Sequence, residues 1–281
     1  MAQIHTCTTF MSKRIAFIGG GNMASAIISG LIKQGLPLEL IDVVEPIAEA
    51  RDKLQSSFGV TAHPEAGAFL LDAALVVWAV KPQTFKQAAL AVVPHVLGGL
   101  HLSVAAGICS DSIAAWLGSE RIVRAMPNTP ALIGQGITGL FARASVTAND
   151  KAFVEQVITT TGEFLWLDAE DKLDVVTALS GSGPAYVFYF LEAMTTAGTE
   201  MGLSHEQAYQ LAVATFAGAS ALAKGSSESP QMLRQRVTSK GGTTFAAISS
   251  MEDNDMRALF IDAMYAARER ARELGDEYGT A

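Results

Sequence analysis

The chain has 281 residues, 49% hydrophobic and only 17% charged, with 20 basic against 28 acidic side chains and a formal charge of −8 at pH 7. Length and apolarity together mean one large domain or two ordinary ones and exclude intrinsic disorder. The acidic balance argues against a nucleic-acid backbone or an anionic membrane as the main partner, since both are held by basic patches.

Residues 1–11 lack the charged start and apolar core of a signal peptide and read as a flexible tail, with Met11 as an alternative start. Beyond it, short β-branched runs alternate with helical patterns. Strands are expected at Arg14–Ile18, Leu38–Val44, Leu75–Val80, Leu102–Ala105, Arg121–Ala125, Ile137–Phe141 and Phe164–Asp168. Helices are expected between them at Met23–Gln34, Ala48–Phe58, Phe85–Val93 and Asn149–Thr161. That alternation predicts a doubly wound, mostly parallel α/β sheet of the Rossmann type over 12–168. Strand signals stop after Asp168, and an all-helical domain is expected over 169–281. Its helices are Ala169–Leu179, Ala185–Met201, His205–Ala223, Pro230–Val237, Thr244–Met251 and Asp253–Leu274. Two cysteines, Cys7 and Cys109, make no disulfide framework and fit a reducing cytoplasm. The five histidines lie at no metal-ligand spacing, so no metal site is expected.

The strand Arg14–Ile18 runs directly into Gly19-Gly-Gly-Asn-Met-Ala24 and then a helix. In this G-x-G-x-x-A loop the first glycine makes the tight turn, and Gly21 lets a pyrophosphate approach the backbone. Ala24 lets the helix pack closely, and the helix N-terminus faces the anion, so Gly19, Gly21, Asn22, Met23 and Ala24 are dinucleotide-binding candidates. Glu45 stands 24 residues after Gly21, at the end of the second strand. There it is placed to accept from the adenosine ribose hydroxyls, which favours NAD over NADP. Arg51, one or two helical turns on, offers the opposite option of pairing a 2′-phosphate. The cofactor expected is therefore NADH or NADPH.

Later strand ends carry further unusual sequence. Val80-Lys-Pro-Gln83 closes the third strand, Ser103-Val-Ala-Ala-Gly107 the fourth and Met126-Pro-Asn-Thr-Pro130 the fifth. Small side chains at Ala105 and Ala106 would let a flat nicotinamide ring lie close. Two prolines hold Asn128 stiffly, and Val80, Lys81 and Pro82 complete the row at the carboxyl ends, where ligands bind in such sheets. In the helical half, Ser180-Gly-Ser-Gly-Pro-Ala-Tyr186 reads as a loop starting a helix, with Ser182 as its cap. The octet Val237-Thr-Ser-Lys-Gly-Gly-Thr-Thr244 also precedes a helix. Its Gly241 and Gly242 amides, with Ser239, Thr243 and Thr244, would make a nest for a small anion such as a carboxylate.

Taken together, these motifs resemble those of the pyrroline-5-carboxylate reductases, from about Lys13 to Arg272, nearly the whole chain. The resemblance implies NAD(P)H-dependent reduction of the cyclic imine 1-pyrroline-5-carboxylate to L-proline, the last step of proline synthesis. It also implies a Rossmann domain followed by helices that intertwine with a partner's as a homodimer, often assembled further. Carried over by motif, Gly19–Ala24, Lys81 and its neighbours, Ala105, Ala106 and Asn128 would hold the cofactor. Ser239 and the Gly241–Thr243 amides would hold the substrate carboxylate. Thr244 would meet the ring nitrogen, with Tyr186 as second candidate. Relatives that favour NADPH tend to have small polar or basic residues where this chain has Glu45.

Two other readings stay open. A hydroxyacid dehydrogenase of similar build would need a Lys or His as acid/base; Lys172 and Lys240 are available, though Glu170-Asp-Lys172 reads as solvated surface. A non-catalytic NAD(P)-sensing protein is the third. One compositional feature bears on assembly: Ala185–Ala223 contains no Lys or Arg and only Glu192, Glu200 and Glu206 as acids. Helices apolar all round must be buried, and about 110 residues provide too little interior. An obligate dimer through the helical domain is expected.

Overall fold

A computed structural model of the chain describes residues 13–96 and 98–279. The expected tail, with Cys7 and Met11, lies outside the described residues. The chain forms two compact units: one runs as far as Ser182 and takes in the chain again from Ala267, and the other is Gly183–Ala266.

In the first unit eight strands form one sheet: β1 (Ile15–Ile18), β2 (Ile41–Val44), β3 (Ala62–His63), β4 (Leu75–Trp78), β5 (Leu100–Ser103), β6 (Ile122–Met126), β7 (Gly136–Ala142) and β8 (Gly162–Trp166). They lie in the order β3-β2-β1-β4-β5-β6-β7-β8, and every pairing is parallel except β6 with β7. The helices α1 (Asn22–Lys33), α2 (Ala48–Phe58), α3 (Pro82–Val92), α4 (Ser110–Leu117) and α5 (Ala148–Ile158) fill the connections.

Alternation along β1 shows why the strands are apolar on both faces. Ile15 and Phe17 join Ile27, Leu31 and Val157 from α1 and α5 on one side. Ala16 and Ile18 join Phe85 and Trp116 from α3 and α4 on the other. Both faces are covered, as a parallel sheet requires.

The elements differ from the sequence expectation in specific ways. Pro37, with φ −60°, opens a 3₁₀ turn over Leu38–Leu40, so β2 starts only at Ile41. The two-residue β3 and the eight-residue α4 are additional; both are too short to leave a periodic signal. α3 begins at Pro82 rather than Phe85, because proline is favoured in a first helical turn.

Ser180 and Gly181, expected to open a loop, are helical instead, and Ser182 is a bend between two helical stretches. α6 (Lys172–Val176) continues through a π turn, Thr177–Gly181, into α7 (Gly183–Glu200). The N–H of Ser182 donates to the Thr177 carbonyl at 2.8 Å. Pro184 has no N–H to return to Ser180, so the ladder cannot pass in the α register and widens by one residue.

The helical unit holds α7, α8 (His205–Lys224), α9 (Pro230–Arg236), α10 (Thr243–Asp253) and the start of α11 (Met256–Tyr278). α8 is opened by a reciprocal capping box between Ser204 and Gln207. Within this unit the buried described residues of α7 and α8 are small: Thr195, Gly198, Ala208 and Ala212. Large apolar side chains remain open, among them Tyr189 at 70%, Leu259 at 64% and Phe188 at 58% exposure. That is the apolar excess anticipated from the composition, and among the described residues of a single chain nothing covers it.

Candidate functional site

The strand order turns back between β1 and β4, which places the crevice at the carboxyl ends of these strands. Gly19 leaves β1 with its N–H donating to the Val44 carbonyl at 2.8 Å, and the Ala79 N–H donates to Ile18 O at 2.8 Å. The first loop is thus sewn to the ends of β2 and β4. Gly19 has φ +95°, and a Cβ there would lie 2.6 Å from the Ala79 carbonyl oxygen. No other residue type fits.

In front of Gly21 there is open ground: a Cβ would meet nothing within 4 Å. Gly21 is the N-cap of α1 and no side chain caps that helix, so its first amides are left for another acceptor. Ala24 is fully buried where the helix meets the sheet, Met23 is half-buried and Asn22 exposed. Open space, uncapped donors and a close backbone fit a dinucleotide pyrophosphate.

Glu45 is only 7% exposed, and its carboxylate faces back into the loop. Oε2 accepts from the Gly20 N–H at 2.8 Å and Oε1 from the Ile47 N–H at 2.9 Å. Sequence reasoning placed Glu45 at the strand end but missed this bridge, which has no local signature. Arg51 lies at the same lip, its Nη1 donating to the Glu45 and Pro46 carbonyls at 2.9 and 2.8 Å.

Along the same edge Val80 is half-buried, Lys81 is the exposed N-cap of α3 and Pro82 its first residue. Ala105 is buried and its N–H donates to Ser103 Oγ at 3.3 Å; Ala106 is half-buried. Asn128 Oδ1 accepts from the Ile137 N–H at 3.0 Å, which holds the side chain at the end of β6. Gly181 stacks against Met126, where a Cβ would come 2.6 Å from Cε. Every residue expected to hold the cofactor therefore lies along one sheet edge.

The residues expected to hold substrate gather separately, in the helical unit. The N–H of Gly242 donates to the Ser239 carbonyl at 3.0 Å, and Gly241 has φ +77°. Gly242 is the N-cap of α10, again with no side-chain cap, and a Cβ on it would meet Ser239 Oγ at 2.7 Å. Thr243 and Thr244 open the helix and are exposed. A cavity of about 420 Å³ lies beside the loop, lined by Thr238, Lys240, Phe245 and Ser249 among others. Tyr186 is half-buried and packs edge-on to Phe260 at 5.7 Å.

The charged stretch after β8 divides. Lys172 is exposed and its Nζ donates to Asp168 at 2.6 Å, which holds the ammonium above the usual lysine range. A lysine acid/base needs the opposite. Glu170 is not the solvated charge expected: its carboxylate takes Arg124 Nη1 at 2.7 Å and the Ser110 N–H and Oγ, each at 2.5 Å. The signal was available, since Arg124 interrupts an apolar strand and a buried cation needs a partner.

A doubly wound sheet with a glycine loop opening its first helix, followed by an apolar helical half, defines the class: a dinucleotide-dependent oxidoreductase. The family described as NADP oxidoreductase coenzyme F420-dependent matches residues 14–107, and that described as pyrroline-5-carboxylate reductase dimerisation matches residues 170–274. The pyrroline-5-carboxylate reductase of Pseudomonas aeruginosa is 46% identical over 268 residues, covering 95% of this chain and 98% of that protein. Among solved structures, a pyrroline-5-carboxylate reductase from Coxiella burnetii matches with TM-score 0.86 at 39% identity, over 94% of this chain and 98% of that one. The Plasmodium falciparum pyrroline carboxylate reductase with NADP bound matches with TM-score 0.85 at 28% identity, over 94% and 99%. The chain belongs to the pyrroline-5-carboxylate reductase family.

Proposed function

We propose that this chain reduces 1-pyrroline-5-carboxylate to L-proline, the last step of proline synthesis, with NAD(P)H as reductant. The observation that carries the reading is the pairing, in one chain of this family, of two uncapped helix N-termini with different surroundings. The one at Gly21 has open space for a pyrophosphate. The other, at Gly242, is flanked by the hydroxyls of Ser239, Thr243 and Thr244 and suits a carboxylate.

In this assignment Gly19–Ala24 take the pyrophosphate, Glu45 the adenosine ribose, and Val80, Lys81, Pro82, Ala105, Ala106 and Asn128 the nicotinamide half. NAD(P)H, when bound, supplies a hydride. Ser239 and the Gly241–Thr243 amides hold and orient the substrate carboxylate. The Thr244 hydroxyl donates to the ring nitrogen and passes it a proton drawn from water. The imine carbon gains the hydride and the nitrogen the proton, which balances the product amine. That nitrogen is basic, so no strongly perturbed acid is needed, and positioning does most of the work. Thr244 is exposed beside the Gly242 amides, whereas the Tyr186 ring packs on Phe260, which favours Thr244 for this role.

The working form is a homodimer through the helical unit, whose exposed Phe188, Tyr189, Leu211 and Leu259 need cover. No helix among the described residues is long and apolar enough to cross a membrane, and the cytoplasm is the compartment we assign.

The test is a steady-state assay with the imine, run with NADH and NADPH in parallel. Thr244→Ala is expected to lower kcat by about 10²-fold, within the usual range for a positioned proton-transfer group. Full turnover with unchanged imine affinity would remove Thr244 from the assignment. Oxidation of NAD(P)H with 3-hydroxy-acid products rather than with the imine would replace the reading by the dehydrogenase one.

A further inference from the structure

The last turns of α11 belong to the sheet unit and close onto the edge that carries the cofactor residues. Three anchors hold them there. The backbones of Gly107 and Gly275 lie face to face: a Cβ on Gly275 would come 2.6 Å from Gly107 O, and one on Gly107 would come 3.1 Å from Gly275 N. Ser112 Oγ, in the first turn of α4, donates to the Gly279 carbonyl, and Cys109 Sγ lies 3.1 Å from the same hydroxyl. The Tyr278 side chain hydrogen-bonds with Glu277 beside it and with Gln83 in the first turn of α3. Ala271, one turn before Gly275, is buried.

These anchors fall on three segments: the turn after Lys81 and Pro82, the loop of Ala105 and Ala106, and the start of α4. The first leaves the sheet after β4 and the other two are one stretch leaving it after β5, so one helix end bridges the two strand ends. We propose that residues Gly275–Gly279 are a clasp that sets the spacing of the Lys81–Gln83 and Ala105–Gly107 loops, with Gly275 and Tyr278 as positioning residues for the nicotinamide half of the cofactor site. The clasp lies beyond residue 274, where the match to the dimerisation family ends. The inference rests on the assignment of those loops to NAD(P)H.

Glycine is required at 275 by contact alone, since its conformation is helical and would accept alanine elsewhere. A methyl group there must push Gly107 outward by a fraction of an ångström. Displacements of that size at a reactive site cost one to two orders of magnitude.

The experiment uses the full-length protein with Gly275→Ala and Tyr278→Phe. It measures the Kd of NADH and NADPH by nucleotide fluorescence, the KM of the imine, and oligomeric state by sedimentation. Gly275→Ala is expected to raise the better cofactor's Kd about tenfold and Tyr278→Phe about threefold, the worth of one hydrogen bond, with imine KM and assembly unchanged. A purely structural role would lower Tm while leaving Kd of the folded protein as it was. Unchanged Kd in both variants overturns the clasp, and Tyr278→Phe alone decides if Gly275→Ala does not fold. Absence of NAD(P)H binding by the unmodified protein would instead overturn the cofactor assignment, and the clasp with it.

Discussion

His101 is the most sharply perturbed titratable group of the sheet. It lies on β5, 1% exposed, and its Nδ1 accepts from Trp78 Nε1 at 3.2 Å. Trp78 is itself fully buried and stacks on Phe85 at 5.2 Å. Protonation would place a cation in an apolar layer, near Arg121, and would turn an acceptor into a second donor facing the indole N–H. Burial first, and the Arg121 charge second, push the imidazole down from 6.5 to about 4. The sign follows from the lowered value. Above about pH 6.5 both states are neutral and the stability is present in full. As pH falls toward 4 the unfolded chain takes up a proton that the native one refuses, so stability is lost across that window. The gap of about 2.5 pH units, at about 1.4 kcal/mol each, makes roughly 3–4 kcal/mol; most of it is gone by pH 4.5. His101→Asn keeps an acceptor near Nδ1 and removes the titration. Urea unfolding of both proteins at pH 7.5 and 4.5 checks this, at one protein concentration because a dimer's stability depends on it. The unmodified protein should lose roughly 2–3 kcal/mol more than the variant between the two pH values. Parallel losses would refute the reasoning.

Gly19→Ala forces a Cβ against the Ala79 carbonyl at φ +95° and should weaken NAD(P)H binding by more than about 10²-fold, read by fluorescence titration. Glu45→Ser removes the acceptor of the Gly20 and Ile47 amides together with the charge at the ribose end; the ratio of kcat/KM for NADH over NADPH should fall about tenfold, and clear NADPH preference in the unmodified protein would overturn the reading of Glu45. Glu170→Ala strands the buried Arg124 guanidinium and should cost about 3 kcal/mol in chemical denaturation. Sedimentation at micromolar concentration should give a dimer or a multiple of it, and a monodisperse monomer would refute the burial argument for α7 and α8.

Much of the fold was legible because its signals are local. The glycine loop sits between a strand and a helix whose patterns are unambiguous, and β1 and α1 fall within a residue or so of their expected limits. α8 was expected over His205–Ala223 and runs His205–Lys224, since Ser204 and Gln207 mark its start in any context. The strand ends Val80–Gln83, Ser103–Gly107 and Met126–Pro130 could be singled out because prolines and small residues there exceed what a turn needs.

Where the reading fell short, the cause lay in contacts distant along the chain. Glu170 looked like surface because its neighbours Asp171 and Lys172 are; only the approach of Arg124 and Ser110, 46 and 60 residues away, makes it a buried-charge partner. Ser180 and Gly181, the end of the π turn, read as a loop because glycine and serine suit both. Pro184 removes one N–H, and whether the chain then opens or widens its helix depends on packing such as Gly181 against Met126.

By itself, then, the sequence determined the order of elements, the class of cofactor loop and the family, because periodicity, caps and motif spacing act within one or two turns of backbone. The tertiary structure alone decided which way the Glu45 carboxylate faces, that His101 is held neutral, and that the end of α11 returns to Gly107. Those depend on distances between residues tens to hundreds of positions apart, and burial, which sets both charge state and contact, exists only once the chain has closed on itself.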